Sequence, residues 1–155
     1  LMVTLCTAAF GEKNSFFRAW NSIGLSNFMF GLFILFATRG HFEMSSWFLL
    51  SISSFWLLGL MSLKSLFKTN SKPSLTHFYA LANERPTSAH FFLVSFLGIA
   101  GFPLFPSFLG EDIILHGLVG PYSPFALFGV LVLMLNGISA ARLYTRVCWG
   151  PTSAV

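Results

Sequence analysis

Five of the 155 residues are acidic, and two of them stand side by side: Glu111 and Asp112, in GFPLFPSFLGEDIILHG (101–117). A carboxyl group set among apolar residues and given a little water can take up and release a proton. That is the elementary act of acid–base catalysis and of proton transport alike. Neighbouring residues on a helix are about 100° apart, so a single cavity receives only one of the pair. Asp112 and His116 share a face at i, i+4 and could form a polar exit toward the outer surface. A metal centre needs more ligands than this pair supplies, and HExxH-like spacing is missing. An intramembrane hydrolase built on Glu111, Asp112 and His116 is therefore set aside.

The other ionisable candidates are few. Lys64 and Lys68 are spaced i, i+4 at the end of an apolar block, where long basic side chains ordinarily snorkel to the interface. His90 opens the next block and could act as an inner proton gate or as an interface residue. Arg142 lies one turn inside the last block, either an anchor or the ion partner of a buried carboxylate. Asn136, mid-block, fits interhelical hydrogen bonding. Cys6 and Cys148 belong to no CxxC or Cys/His cluster and read as small apolar residues.

These groups must be positioned by membrane-spanning helices. The chain is 55% hydrophobic, contains 20 Phe and has 9% charged residues, whereas a soluble domain carries roughly a quarter charged residues. Apolar blocks cover Ser22–Thr38, Ser46–Phe67, Ala89–Val119 and Ser123–Arg146. Backbone at membrane depth must satisfy its own polar groups, so each block reads as helix. The run Leu1–Phe10 is too short to cross a bilayer and reads as the end of an earlier helix. The predicted fold is all-α and integral to a membrane, a single domain over 1–155. It has about four spans, a partial N-terminal one, and a cytoplasmic loop at 68–88 with a short amphipathic helix near Leu75–Asn83.

If each block crosses once, Lys13, Arg18, Lys64, Lys68, Lys72, Arg85, Arg142 and Arg146 fall on one face, and only Arg39 on the other. This is the positive-inside bias. Trp20, Trp47, Tyr122, Tyr144 and Trp149 lie near block ends, where aromatic rings favour the headgroup zone. No basic run has the aromatic interleaving of a nucleic-acid reader.

The third block is broken. Pro103 and Pro106 lack N–H groups and clash with the preceding turn, and Gly101 permits unusual dihedrals. The spacing predicts a half-helix to Ala100, an unwound segment at Gly101–Pro106, and a second half-helix at Ser107–Leu118 capped by Ser107. Glu111 then lies one turn into the second half, near the bilayer midplane. An ionised group on an isolated helix costs about 2.5–3.5 kcal/mol there, so the residue implies a protein-lined, hydrated site. The other arrangement stays open: the charge-free run Phe91–Gly110 could span with a proline kink, leaving Glu111 and Asp112 at the outer interface.

The run LGIAGFPLFPSFLGEDIIL (97–115) resembles the late discontinuous helix of the antiporter-like membrane subunits of respiratory complex I. Related cation/proton antiporters and the membrane subunit of bacterial inorganic-carbon uptake complexes share that helix. In that family G-x-P precedes an unwound stretch and F-x-G/S-[EK] follows it, as Phe108-Leu109-Gly110-Glu111 does here. SAARLYTRVCWG (139–150) resembles the helix that comes next, so the likeness spans Pro86–Gly150. It implies that Glu111 is the terminal protonatable residue of a proton path, for which the residues themselves offer Asp112 and His116 as an exit, His90 as an inner gate and Lys64 as a relay. Gly101, Pro103 and Pro106 are then the hinge, while Arg142 stays, on its own position, an anchor or a candidate ion partner. The family's preceding helix usually carries His and Lys relay residues. SISSFWLLGLMSLKSLF (51–67) has no His, and its lysine is near the end, so Lys64 acts from an unusual depth or the path is shortened.

The resemblance further implies a C-terminal-half fragment of a larger polytopic subunit. Its partners are lipid and other membrane subunits, and its cargo is protons, or Na+. No cofactor motif is present, so redox chemistry would belong to the rest of an NADH:quinone oxidoreductase-type or ion-coupled uptake complex. The membrane would be the bacterial or mitochondrial inner membrane, with the basic loops on the cytoplasmic or matrix side. The competing function is a structural or assembly subunit without a conduction path.

Overall fold

The computed structural model describes residues 1–37, 42–68, 73–118 and 123–150; Arg39, Lys72 and Tyr122 lie outside them. All regular structure among the described residues is α-helical: α1 (Met2–Gly11), α2 (Phe16–Ala37), α3 (Phe42–Leu66), α4 (Leu81–Glu84), α5 (Pro86–Ile99), α6 (Pro106–Leu118) and α7 (Ser123–Cys148). Phe16–Phe36, Ser45–Leu66 and Leu127–Cys148 are long and apolar enough to span a membrane. At 1.5 Å per residue α5 and α6 each reach about 20 Å, so neither spans alone and the two together can. The expected all-α membrane fold, with a short first helix and a discontinuous third span, is what the chain adopts.

Helix α2 begins earlier than its apolar block. The backbone N–H of Arg18 donates to Ser15 Oγ at 3.4 Å, which satisfies one of the free donors of the first turn. Phe16, Ala19 and Trp20 then continue the buried face. Trp20 is thus a core residue rather than an interfacial anchor. It is fully buried, and its Nε1 donates to the carbonyl of Trp56 in α3 at 3.0 Å. Trp47 and Trp149 are exposed as an interfacial ring requires, whereas Tyr144 is half-buried and stacks on Phe96 at 5.7 Å.

Helix α3 packs against α2, α5 and α6, and α7 packs against α1, α2, α5 and α6. One core runs from Phe16 and Trp20 through Leu63, Phe92 and Leu143. A second groups Phe30, Ile34, Phe48 and Ile52 between α2 and α3. Close approach depends on two glycines. A Cβ at Gly24 would overlap the Trp56 ring, and one at Gly59 would overlap Trp20. Each tryptophan fills a notch in the facing helix, the small-residue packing on which membrane helices rely.

The segment before α5 is less helical than its sequence suggests. The stretch expected to form a helix at Leu75–Asn83 is irregular up to Ala80, which has φ +50°, and only Leu81–Glu84 is helical. Its backbone groups are committed elsewhere: Leu75 N donates to Lys13 O at 3.0 Å, and Tyr79 N to Arg146 O at 3.0 Å. Arg146 also caps the Phe78 ring at 4.2 Å. The segment is strapped to the α1–α2 link and to the end of α7, with Leu75 and Leu81 buried.

Candidate functional site

The break between α5 and α6 is a built structure. Gly101 has φ +66°, a left-handed conformation that glycine adopts without penalty. Phe102 N donates back to Leu97 O at 3.0 Å, and Ala100 N to Phe96 O at 2.9 Å. A left-handed glycine with this six-to-one bond is a Schellman-type helix end. Pro103 follows at the second position of a turn closed by Phe105 N to Phe102 O, 2.9 Å, where its fixed φ suits the geometry. Pro106 then opens α6, a position at which the missing N–H costs nothing.

Ser107 does not cap α6, as the sequence suggested. Pro106 has already begun the helix, and the Ser107 hydroxyl donates across the break to Gly98 O at 2.6 Å. It satisfies a carbonyl freed by the end of α5. The ring of Phe55 in α3 supports both sides: it fills the notch at Gly98 and meets Phe105 edge-on at 5.0 Å.

Glu111, one turn into α6, folds its carboxylate back onto Gly101. A Cβ at Gly101 would overlap Glu111 Oε2. Glu111 Oε1 is buried without a protein hydrogen-bond partner among the described residues. The carboxylate lines a cavity of about 420 Å³ with Ala100 and with Val130, Leu133, Met134, Gly137 and Ile138 of α7. One helix end, one glycine and one glutamate thus meet at a pocket that α7 lines and that opens to the surface beside the exposed Met134 and Ile138. The contribution of α7 was not foreseen from the sequence, in which Gly137 is one of several small residues along that helix.

The remaining candidates lie elsewhere. Asp112 and His116 are joined at 3.5 Å on the exposed side of α6 and do not line this cavity. His90 Nδ1 pairs with Pro86 O at 2.6 Å in the first turn of α5. Lys64 is exposed in the last turn of α3. These two ends meet where Ser65 Oγ and Ser88 Oγ bond at 2.8 Å, beside a groove of about 340 Å³ that includes Ser62 and Thr87. Arg142 is not placed as an ion partner of Glu111. Its Nη1 donates to Phe10 O and its Nη2 to Glu12 O at 3.2 Å. A cation is favoured at those last carbonyls of α1. Asn136 meets its expectation and bonds across to α2.

A carboxyl group with one unpaired oxygen, set beside a pocket at a helix break, is suited to exchanging protons with water that enters the pocket. Residues 19–137 match the family described as NADH:quinone oxidoreductase/Mrp antiporter, TM. Among curated proteins, none matches the chain.

Proposed function

The chain belongs to the NADH:quinone oxidoreductase/Mrp antiporter membrane family, and on that premise we propose that it conducts protons through the break between α5 and α6, with Glu111 taking up and releasing each proton. The observation that carries this reading is the unpaired, buried Oε1 of Glu111 beside the cavity. Water in that cavity delivers the proton to the carboxyl oxygen and removes it. Gly101 and the two prolines hold the carboxylate at the end of α5, where the backbone no longer fills the space. Protons reach the path from the basic end by way of Lys64 and His90, near which Ser62, Ser65, Thr87 and Ser88 place hydroxyls in a largely apolar groove, and leave by Asp112 and His116.

The chain acts as part of a larger energy-coupling complex in a bacterial or mitochondrial inner membrane, its basic end toward the cytoplasm or matrix. A conformational or redox step in a partner subunit drives the cycle by changing how well the Glu111 cavity is hydrated. Exposed Trp47, Leu50, Leu57 and Met61 on α3 present an apolar stripe to lipid or to those neighbouring subunits.

Proton flux into liposomes carrying the parent complex tests this, comparing wild type with Glu111→Gln at matched incorporation. Loss of most of the flux with the complex intact supports the reading. Unchanged flux makes Glu111 structural and the chain an assembly subunit. A flux that follows a Na+ gradient rather than a pH gradient changes the cargo.

A further inference from the structure

A second polar site lies inside the bundle, between α2 and α7. Asn27 and Asn136 stand about halfway along their helices, and neither has any exposed surface. Asn136 Nδ2 donates to Asn27 Oδ1 at 2.7 Å and to Ser26 Oγ at 3.2 Å; Ser26 Oγ donates onward to Met2 O at 3.3 Å. Asn27 Nδ2 and Asn136 Oδ1 are left buried without a protein partner among the described residues.

One donor and one acceptor therefore remain, at a level of the membrane that bulk water does not reach. A ligand that satisfies both must accept a hydrogen bond and donate one. A metal cation would be repelled by the amide N–H groups, and a lipid tail would satisfy neither atom. Water meets the requirement, with the two to four polar partners that a buried water needs. Turning the amides over does not change the requirement, since two primary amides joined by one hydrogen bond always retain a donor and an acceptor.

We propose that the chain binds a buried water between Asn27 and Asn136. This site is distinct from the Glu111 cavity: Leu133 and Gly137, on either side of Asn136 in the chain, line that cavity and Asn136 does not. Leu133 also packs against the Phe30–Ile34–Phe48–Ile52 cluster, so an apolar side chain borders the cavity on the flank toward α2 and α3. The water is held by amides that do not ionise, and the site stands independently of proton conduction at Glu111.

Cryo-electron microscopy of the assembled complex, at a resolution that shows waters, tests the site directly. The expected result is a density peak within hydrogen-bond distance of both Asn27 Nδ2 and Asn136 Oδ1. An empty map there, or the two atoms paired with protein groups, overturns the proposal. Infrared spectra give an independent readout. An O–H stretching band that shifts on exchange into H2 18O should be present in wild type and absent from the Asn27→Leu/Asn136→Leu double variant. Survival of every such band in the double variant also overturns it. The Glu111→Gln complex is expected to retain both density and band whatever its flux, which separates the two readings.

Discussion

At the residue scale the most informative position is Gly101, which meets two demands at once. Its φ of +66° would cost a residue with a Cβ about 1–2 kcal/mol, and that Cβ would occupy the space of the Glu111 carboxylate. The carboxylate is the movable end of a flexible side chain, so it would yield before the helix end does. Gly101→Ala is therefore expected to assemble at near-normal levels while proton flux falls several-fold. Normal flux in an assembled variant would show that the carboxylate's position against the break is immaterial. The sequence marked Gly101 and Glu111 separately, one for backbone freedom and one for charge. Their contact was not legible, because it depends on how six residues turn between two half-helices. Arg142 illustrates the same limit. Its charge was legible, but its partners are carbonyls of Phe10 and Glu12, and a carbonyl leaves no trace in residue type. Asn136 was legible as interhelical glue, whereas its partner Asn27, beside Ser26 in the apolar block of α2, was not singled out.

At the scale of elements, the seam between α2 and α3 holds the bundle by shape. Lipid tails are as apolar as the helices, so association rests on close packing more than on solvent exclusion. Trp20 is fully buried and rigid, and it cannot retreat from a Cβ added at Gly59. Overpacking of this kind costs about 1–3 kcal/mol. Gly59→Ala should lower the unfolding temperature of the purified complex measurably, and Gly59→Leu should lower it further. Gly11→Ala, at a position with nothing within 4 Å, should leave it unchanged. Equal shifts at Gly59 and Gly11 would refute the interlocked seam. The break in the third span was legible, since proline and glycine act through their own backbones. Its capping was not: Ser107 has the composition of an N-cap, but Pro106 had already taken the first helical position. The irregular stretch before Leu81 follows the same logic. Its amphipathic pattern suggested a helix, and hydrogen bonds to Lys13 and Arg146 outbid the local one.

At the scale of the whole molecule, three connections gather at one end of the bundle. Leu75 reaches the α1–α2 link at Lys13, Tyr79 reaches Arg146 at the end of α7, and Ser65 of α3 meets Ser88 of α5. Of the basic residues that the charge count assigned to one face, the described ones (Lys13, Arg18, Lys64, Lys68, Arg85, Arg142 and Arg146) are carried on or next to these segments, so the bundle has one strapped, basic end. From there α5 departs, and α6 continues beyond the break toward His116. Helix α7 is about 39 Å long at 1.5 Å per residue and ends at Arg146 on the basic side, so the short link from Leu118 to Ser123 places the end of α6 toward the opposite end of the bundle. Impermeant thiol labelling of oriented vesicles tests whether that run crosses the membrane. Cys6 and Cys148 are buried, at 1% and 3% exposure, and give little background. A cysteine at the exposed His77 position should react only from the basic side. One at His116, whose side chain is 80% exposed, should react only from the other. Opposite-side labelling means that α5 and α6 form one discontinuous span, with Glu111 between two aqueous compartments. Labelling of both positions from the basic side would make the pair re-entrant, and a proton released by Glu111 would then return to the side it came from.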